Sequence, residues 1–147
     1  SPVREKAKYF IAVNKLIVDR PAGIAELQAL SGESGEVGTM AKFALAQALA
    51  ADGKLDEAAA LYQQLVGLND PILSKDTINY NLAEVYRKQG KTQEAADLYY
   101  NIAKTASDAK DLDGKAIPMT ETAKEAKKKL AEINPDRARE IPDPLPT

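Results

Sequence analysis

The stretch KFALAQALAADGKLDEAAALYQQLV, residues 42–66, returns 37 positions later as NYNLAEVYRKQGKTQEAADLYYNIA, residues 79–103. The two copies agree at nine of 25 positions: Leu45/Leu82, Ala46/Ala83, Gly53/Gly90, Lys54/Lys91, Glu57/Glu94, Ala58/Ala95, Ala59/Ala96, Leu61/Leu98 and Tyr62/Tyr99. In each copy a Leu-Ala pair is followed seven residues later by Gly, five further by Ala and four further by Tyr. A fixed period of this size marks a repeat architecture, in which one unit cannot bury its apolar face alone and must stack on the next. Each copy predicts two helices with a turn at Gly53 or Gly90, where glycine supplies the left-handed backbone that a helix C-terminus often needs.

This pattern resembles the tetratricopeptide repeat. The resemblance implies that Ala58 and Ala95 permit close helix contact, that the Gly serves the turn and that the Tyr fills the space between helices. It further implies an all-α, right-handed stack of antiparallel helical hairpins, an α-solenoid, closed by a C-terminal capping helix. A stack of this kind is an interaction scaffold.

Working outward, residues 3–18 carry apolar side chains at helical spacing, with Lys6, Lys8 and Lys15 among them, and predict a first helix. Asp19-Arg20-Pro21 ends it, and Pro21 suits the first turn of a second helix reaching Leu30. Sliding this region by 34 pairs Tyr9 with Phe43, Ile11 with Leu45, Ala12 with Ala46, Ala25 with Ala59 and Leu27 with Leu61. On that register Asp19 replaces the turn glycine and Ile24 the small packing residue, so 5–31 reads as a degenerate repeat.

The glycines of residues 31–38 invite a phosphate-loop reading. They follow a helix rather than a strand, no Lys follows, and Glu33 and Glu36 would repel phosphate, so the segment reads as a flexible connector. Thr39 is expected to cap the next helix. The clear repeats then occupy 39–70 and 76–107, separated by Asp70-Pro71 as a helix stop. Pro118 is expected near the start of a capping helix over 118–133, with Ala123, Ala126, Leu130 and Ile133 as a narrow apolar stripe. Lys124, Lys127, Lys128 and Lys129 are expected to be heavily exposed, offset by Glu121, Glu125 and Glu132. Residues 134–147 carry four prolines and read as an extended or disordered tail.

Composition narrows the chemistry. The 147 residues suffice for one domain with a core, at 44% hydrophobic and 29% charged. A formal net charge of -2 leaves no electrostatic footprint for nucleic acid. With no Cys and no His, disulfides, thiolate nucleophiles, imidazole bases and nearly every transition-metal site are excluded together. The most apolar window, residues 40–51, falls well short of the roughly 20 residues a membrane span needs. Carboxylates are plentiful, but no spacing singles out an acid/base pair or a calcium loop. The acidic residues that open the second helix of each clear hairpin, Asp56, Glu57 and Glu94, suit the helix dipole. No catalytic residue, cofactor site, metal site or small-molecule substrate is therefore expected.

What remains is a surface. Carried over residue by residue, the family's inward positions fall on Met40, Phe43, Gln47 and Ala50 in the first clear repeat and on Thr77, Tyr80, Glu84 and Arg87 in the second. Tyr9 and Val13 extend the row. The aromatic members either line a groove or serve as core contacts, since periodicity alone does not separate two adjacent helix faces; Tyr62, Tyr86 and Tyr99 read as core. Some members of the family bind chaperone tails through a Lys/Asn/Arg clamp. Here Phe43 and Gln47 stand at clamp places and only Asn81 falls where a clamp Asn belongs, so an apolar or mixed peptide is the expected partner. The alternative is a self-association module, giving a homo-oligomer. The layout is also similar to the soluble domains of bacterial envelope proteins in the family of the ancillary translocon subunit. That similarity implies a membrane anchor before Ser1 and a place at the periplasmic side of the inner membrane, with the cytoplasm as the other compartment.

Overall fold

The computed structural model describes residues 1–143, among which there are eight α-helices and a single isolated β-bridge, Lys110 to Ala116. The chain forms two compact units, Ser1–Ile78 and Asn79–Thr147.

The first unit contains α1 (Pro2–Val18), α2 (Arg20–Ser31), α3 (Glu36–Ala51) and α4 (Leu55–Leu68). Each helix packs on the next, and α1 also touches α3. Helix α5 (Lys75–Lys88) opens at the end of this unit and becomes the first helix of the second. There it is followed by α6 (Thr92–Asp108), α7 (Glu121–Ile133) and the short α8 (Pro135–Ala138).

The repeat positions recur as buried positions. Ala12, Ala46 and Ala83 are buried on the first helices of the three hairpins, and Ala58 and Ala95 are buried on the second helices of the two clear ones. Tyr62 and Tyr99 fill the volume one turn later, and Leu65 and Ile102 the next. Each such fully buried large side chain contributes roughly 1.5–3 kcal/mol. The turns at Gly53 and Gly90 have φ of +81° and +80°, which a side chain at either position would oppose.

In the first hairpin the small packing residue is Gly23, not Ile24. A Cβ on Gly23 would lie 2.7 Å from the Leu16 backbone nitrogen and 2.9 Å from the Ala12 carbonyl oxygen, so α1 and α2 approach here at a distance that only glycine permits. Leu27 then takes the place of Tyr62, and Leu30 that of Leu65, both buried. The second helix is therefore in register at a shift of 35, whereas the first is in register at 34. The single residue Asp19 links α1 to α2, accepting from the Ala22 backbone N–H at 3.4 Å, while three residues link α3 to α4.

Five further expectations change. Helix α3 begins at Glu36 with Gly35 as N-cap, so residues 36–38 are helical rather than connector, and Gly38 and Thr39 are buried. Thr39 does not cap the helix; its hydroxyl donates to Asp70 Oδ2 at 2.7 Å. Asp70 also accepts from the Ile72 backbone N–H at 3.0 Å, which with Thr39 holds its carboxyl below the usual carboxylate range. Helix α7 is capped by Thr120, which accepts from the Ala123 N–H at 3.2 Å, and Pro118 lies outside it. Of the α7 lysines only Lys128 is exposed; Lys124, Lys127 and Lys129 lie half-buried over their own stems beside Glu121, Asp143 and Glu84.

The fifth change concerns residues 134–143, which are not extended. Asn134 accepts from the Arg137 N–H at 3.1 Å, Pro135 sits at N1 with its φ preset for the helix, and Ala138 and Ile141 are buried in the second unit's core beside Tyr99, Ala126 and Leu130. Arg137 stacks 4.2 Å over the Tyr100 ring and pairs with Asp97 at 2.5 Å. Pro142 is exposed; Pro144 and Pro146 lie outside the described residues.

Candidate functional site

The residues expected to meet a partner lie in two stripes, one on α3 and one on α5, with the same spacing of three, four and three residues that keeps each stripe on one side of its helix. On α3 the stripe is Met40, Phe43, Gln47 and Ala50. Met40, Phe43 and Ala50 are half-buried and Gln47 is exposed. The Phe43 ring meets Tyr62 of α4 edge to face, with centroids 5.9 Å apart and planes at 68°. This geometry sets the positive edge of one ring against the negative face of the other. Tyr62 is buried, and burial pushes its hydroxyl above the ordinary tyrosine range.

On α5 the same arrangement is built again with more charge. The Tyr80 ring meets Tyr99 of α6 at 5.8 Å and 63°. Tyr99 donates its hydroxyl to Glu84 Oε1 at 2.7 Å, and Lys129 of α7 lies 3.9 Å from the same oxygen. Burial first, and Glu84 beside it, push the Tyr80 hydroxyl up to about 12. Arg87 donates from Nη1 to Glu132 of α7 at 2.7 Å, which raises the guanidinium further and lowers Glu132. Thr77 is drawn into the start of its own helix: its N–H donates to Ser74 Oγ at 3.1 Å, and its hydroxyl is 3.3 Å from the same Ser74 oxygen.

The two halves of the expected row therefore differ. Phe43 and Tyr80 occupy equivalent places, and both are braced against a buried tyrosine while remaining partly exposed. Glu84 and Arg87 are joined to α7 by charged contacts, and Thr77 to Ser74. Gln47 is the member left fully at the surface. Tyr9 and Val13 are half-buried at the matching positions of α1. Tyr86, expected in the core, is half-buried with the Lys91 ammonium 5.5 Å from its ring centre.

Sequence reasoning missed the α7 partners Lys129 and Glu132. Their one signal was the mixed charge of the capping helix, read as a solvated face. Among the described residues no group of carboxylates is placed to hold a metal ion, and no helix is long and apolar enough to cross a membrane.

The tetratricopeptide repeat family profile matches residues 19–71 and 43–111, which together span well over half of the chain. The chain is also similar to a crystal structure of a kinesin light chain variant from Podosopora anserina with nearly identical TPR-like repeats. The TM-score is 0.63 at 20% identity, over 90% of this chain and 66% of that one. At that identity the likeness shows the fold. No curated protein sequence matches the chain.

Proposed function

The chain belongs to the tetratricopeptide repeat family, and on that premise we propose that it is a non-enzymatic scaffold holding a partner peptide or helix on the first-helix faces of its hairpins. Repeats of this family commonly mediate protein–protein interaction. The contact residues are Met40, Phe43 and Gln47 on α3 and Thr77, Tyr80, Glu84 and Arg87 on α5. The observation that carries the reading is the twice-built anchor: Phe43 on Tyr62 and Tyr80 on Tyr99, each pair in a T-shaped contact with the outer ring partly exposed. A ring already fixed in place loses little freedom on binding, which is what an interface anchor requires.

The chemistry favours an apolar or mixed peptide. Glu84 and Arg87 already have charged neighbours on α7, so a partner meets rings, the Met40 thioether and the Gln47 amide before it meets an uncompensated charge. As the setting we favour envelope assembly or protein export, on the layout shared with the ancillary translocon-subunit family.

Site-specific photo-crosslinking tests the reading. With the probe at Phe43 or Tyr80 in the full-length protein in its host, a discrete partner is captured and identified by mass spectrometry, and it is lost when the probe moves to exposed Gln64 on α4. No capture from either aromatic position, or equal capture from Gln64, overturns the proposal.

A further inference from the structure

Helix α1 packs on α2 and α3 by one side and leaves the other open. On the open side Val3, Phe10, Ile11, Ile17 and Val18 are 77%, 58%, 53%, 87% and 87% exposed. Val3, Ala7, Phe10, Asn14 and Ile17 are all exposed and follow one another at intervals of four, three, four and three. This is the spacing of a two-helix seam, with Val3, Phe10 and Ile17 at one core position and Ala7 and Asn14 at the other. Shifted by 34, Val3, Ala7, Phe10, Ile11 and Asn14 match Val37, Ala41, Ala44, Leu45 and Ala48 of α3, all buried, while Ile17 and Val18 match the exposed Ala51 and Asp52; α3 is the helix against which α1 and α2 pack. From Val3 to Asn14, the side of the repeat's first helix that is covered in α3 is thus open in α1 and carries the larger Phe10 and Ile11.

We propose that this face pairs with α1 of a second copy of the chain, parallel and in register. Three observations select that occupant. Asn14 sits mid-seam, and an amide carries both donor and acceptor, so in a parallel pair each Asn14 satisfies the other; an antiparallel pair would set it against an apolar residue of the seam. Of the positions flanking the seam, Ile11 and Val18 extend it, Val13 lines the other side, Lys6 is held by Glu36 at 3.4 Å, and the exposed Arg4 stands at the N-terminal end of the seam. The remaining lysines of α1 are also compensated within the chain, Lys8 by Glu5 at 3.6 Å and Lys15 by Glu26, so two copies approach without a row of bare like charges. The helix has 17 residues and so offers a seam about 25 Å long. The inference does not depend on the aromatic stripes of α3 and α5.

Sedimentation equilibrium of the intact chain is expected to show a mass that rises from monomer to dimer with concentration. Phe10→Asp is expected to weaken the dimer at least about tenfold while helix content and melting temperature hold, because the side chain is exposed in the single chain. The chain has no cysteine, so orientation is read directly. Val3→Cys and Ile17→Cys should each oxidise to a disulfide with its own kind, and a mixture of the two should give few mixed dimers. A monomer at every concentration, a dimer indifferent to Phe10→Asp, or a predominance of mixed Val3–Ile17 disulfides overturns the proposal. So does a monomer that co-sediments with lipid vesicles through this face.

Discussion

Tyr99, fully buried on α6, donates its hydroxyl to Glu84 of α5, 2.7 Å away, and thereby ties the second helix of its hairpin to the first. Glu84 is in turn 3.9 Å from Lys129 of α7. A hydrogen bond to a charged acceptor contributes more than a neutral one, and its loss leaves the carboxylate short of a donor. Tyr99→Phe is expected to cost about 1–3 kcal/mol, read from the urea midpoint at unchanged slope.

Close helix approach makes the small residues intolerant of growth. Ala58→Leu and Ala95→Leu should each cost about 1–3 kcal/mol through overpacking. Gly23→Ala should destabilise as well, although alanine is the better helix former by about 1 kcal/mol, because the new methyl meets backbone rather than a movable side chain. Thermal unfolding checks all three; a rise in melting temperature for Gly23→Ala would contradict the close approach at this position.

Binding and stability should separate at Gln47. It is exposed, so Gln47→Arg is expected to leave the melting temperature unchanged while weakening binding of the crosslinked partner. Because the charges of the α5 stripe are engaged with α7, the affinity for that partner should change little between low and physiological salt. Calorimetric titration at two ionic strengths measures both.

Stability should fall at both ends of the pH scale. Asp70 and Glu132 titrate below their usual values in the folded chain, so their contributions are present at neutral pH and are lost as pH falls below about 4. Asp70→Asn should flatten that acid limb. Tyr62, Tyr80 and Tyr99 titrate above their usual value, so their contributions hold below about pH 10 and are lost above it, where only the unfolded chain ionises. Tyr62→Phe should reduce the alkaline slope; denaturant midpoints across pH give both limbs.

The C-terminal segment should matter to the second unit. Ile141→Ala is expected to cost about 2–5 kcal/mol, as for other buried aliphatic truncations. Arg137→Lys should also destabilise, since an ammonium keeps the charge near Asp97 but not the planar stack on Tyr100. Urea titration of the two variants decides it.

The sequence made the two central hairpins legible because Ala58/Ala95 and Tyr62/Tyr99 repeat a packing solution, and packing is what a period records. It misled in the first hairpin, where one position is missing between Ala12 and Gly23. A constant shift then places Ile24 opposite Ala58, and only the backbone contact of Gly23 with Ala12 and Leu16 reveals the slip. Thr39 resembled a cap because its type suits one, yet Gly35 starts the helix and the Thr39 hydroxyl is used by Asp70. Proline content disguised α8, although Pro135 after Asn134 is a helix start. Of the site, the aromatic pair was readable from equivalence. The engagement of Glu84 and Arg87 was not, because nothing in the local pattern of α7 fixes which of its charges reach α5.

The one-residue link at Asp19 bears on how this chain can be rebuilt. Exchanging whole hairpins between solenoids works only when each brings its own spacing, and here Ala12 to Gly23 spans 11 positions against 12 from Ala46 to Ala58. A consensus module grafted over the first hairpin at constant length would rotate its second helix by about 100°, one residue's worth of an α-helix, and turn Leu27 and Leu30 out of the interior. The shortened corner is thus an inseparable part of that module, to be transplanted with both helices or not at all.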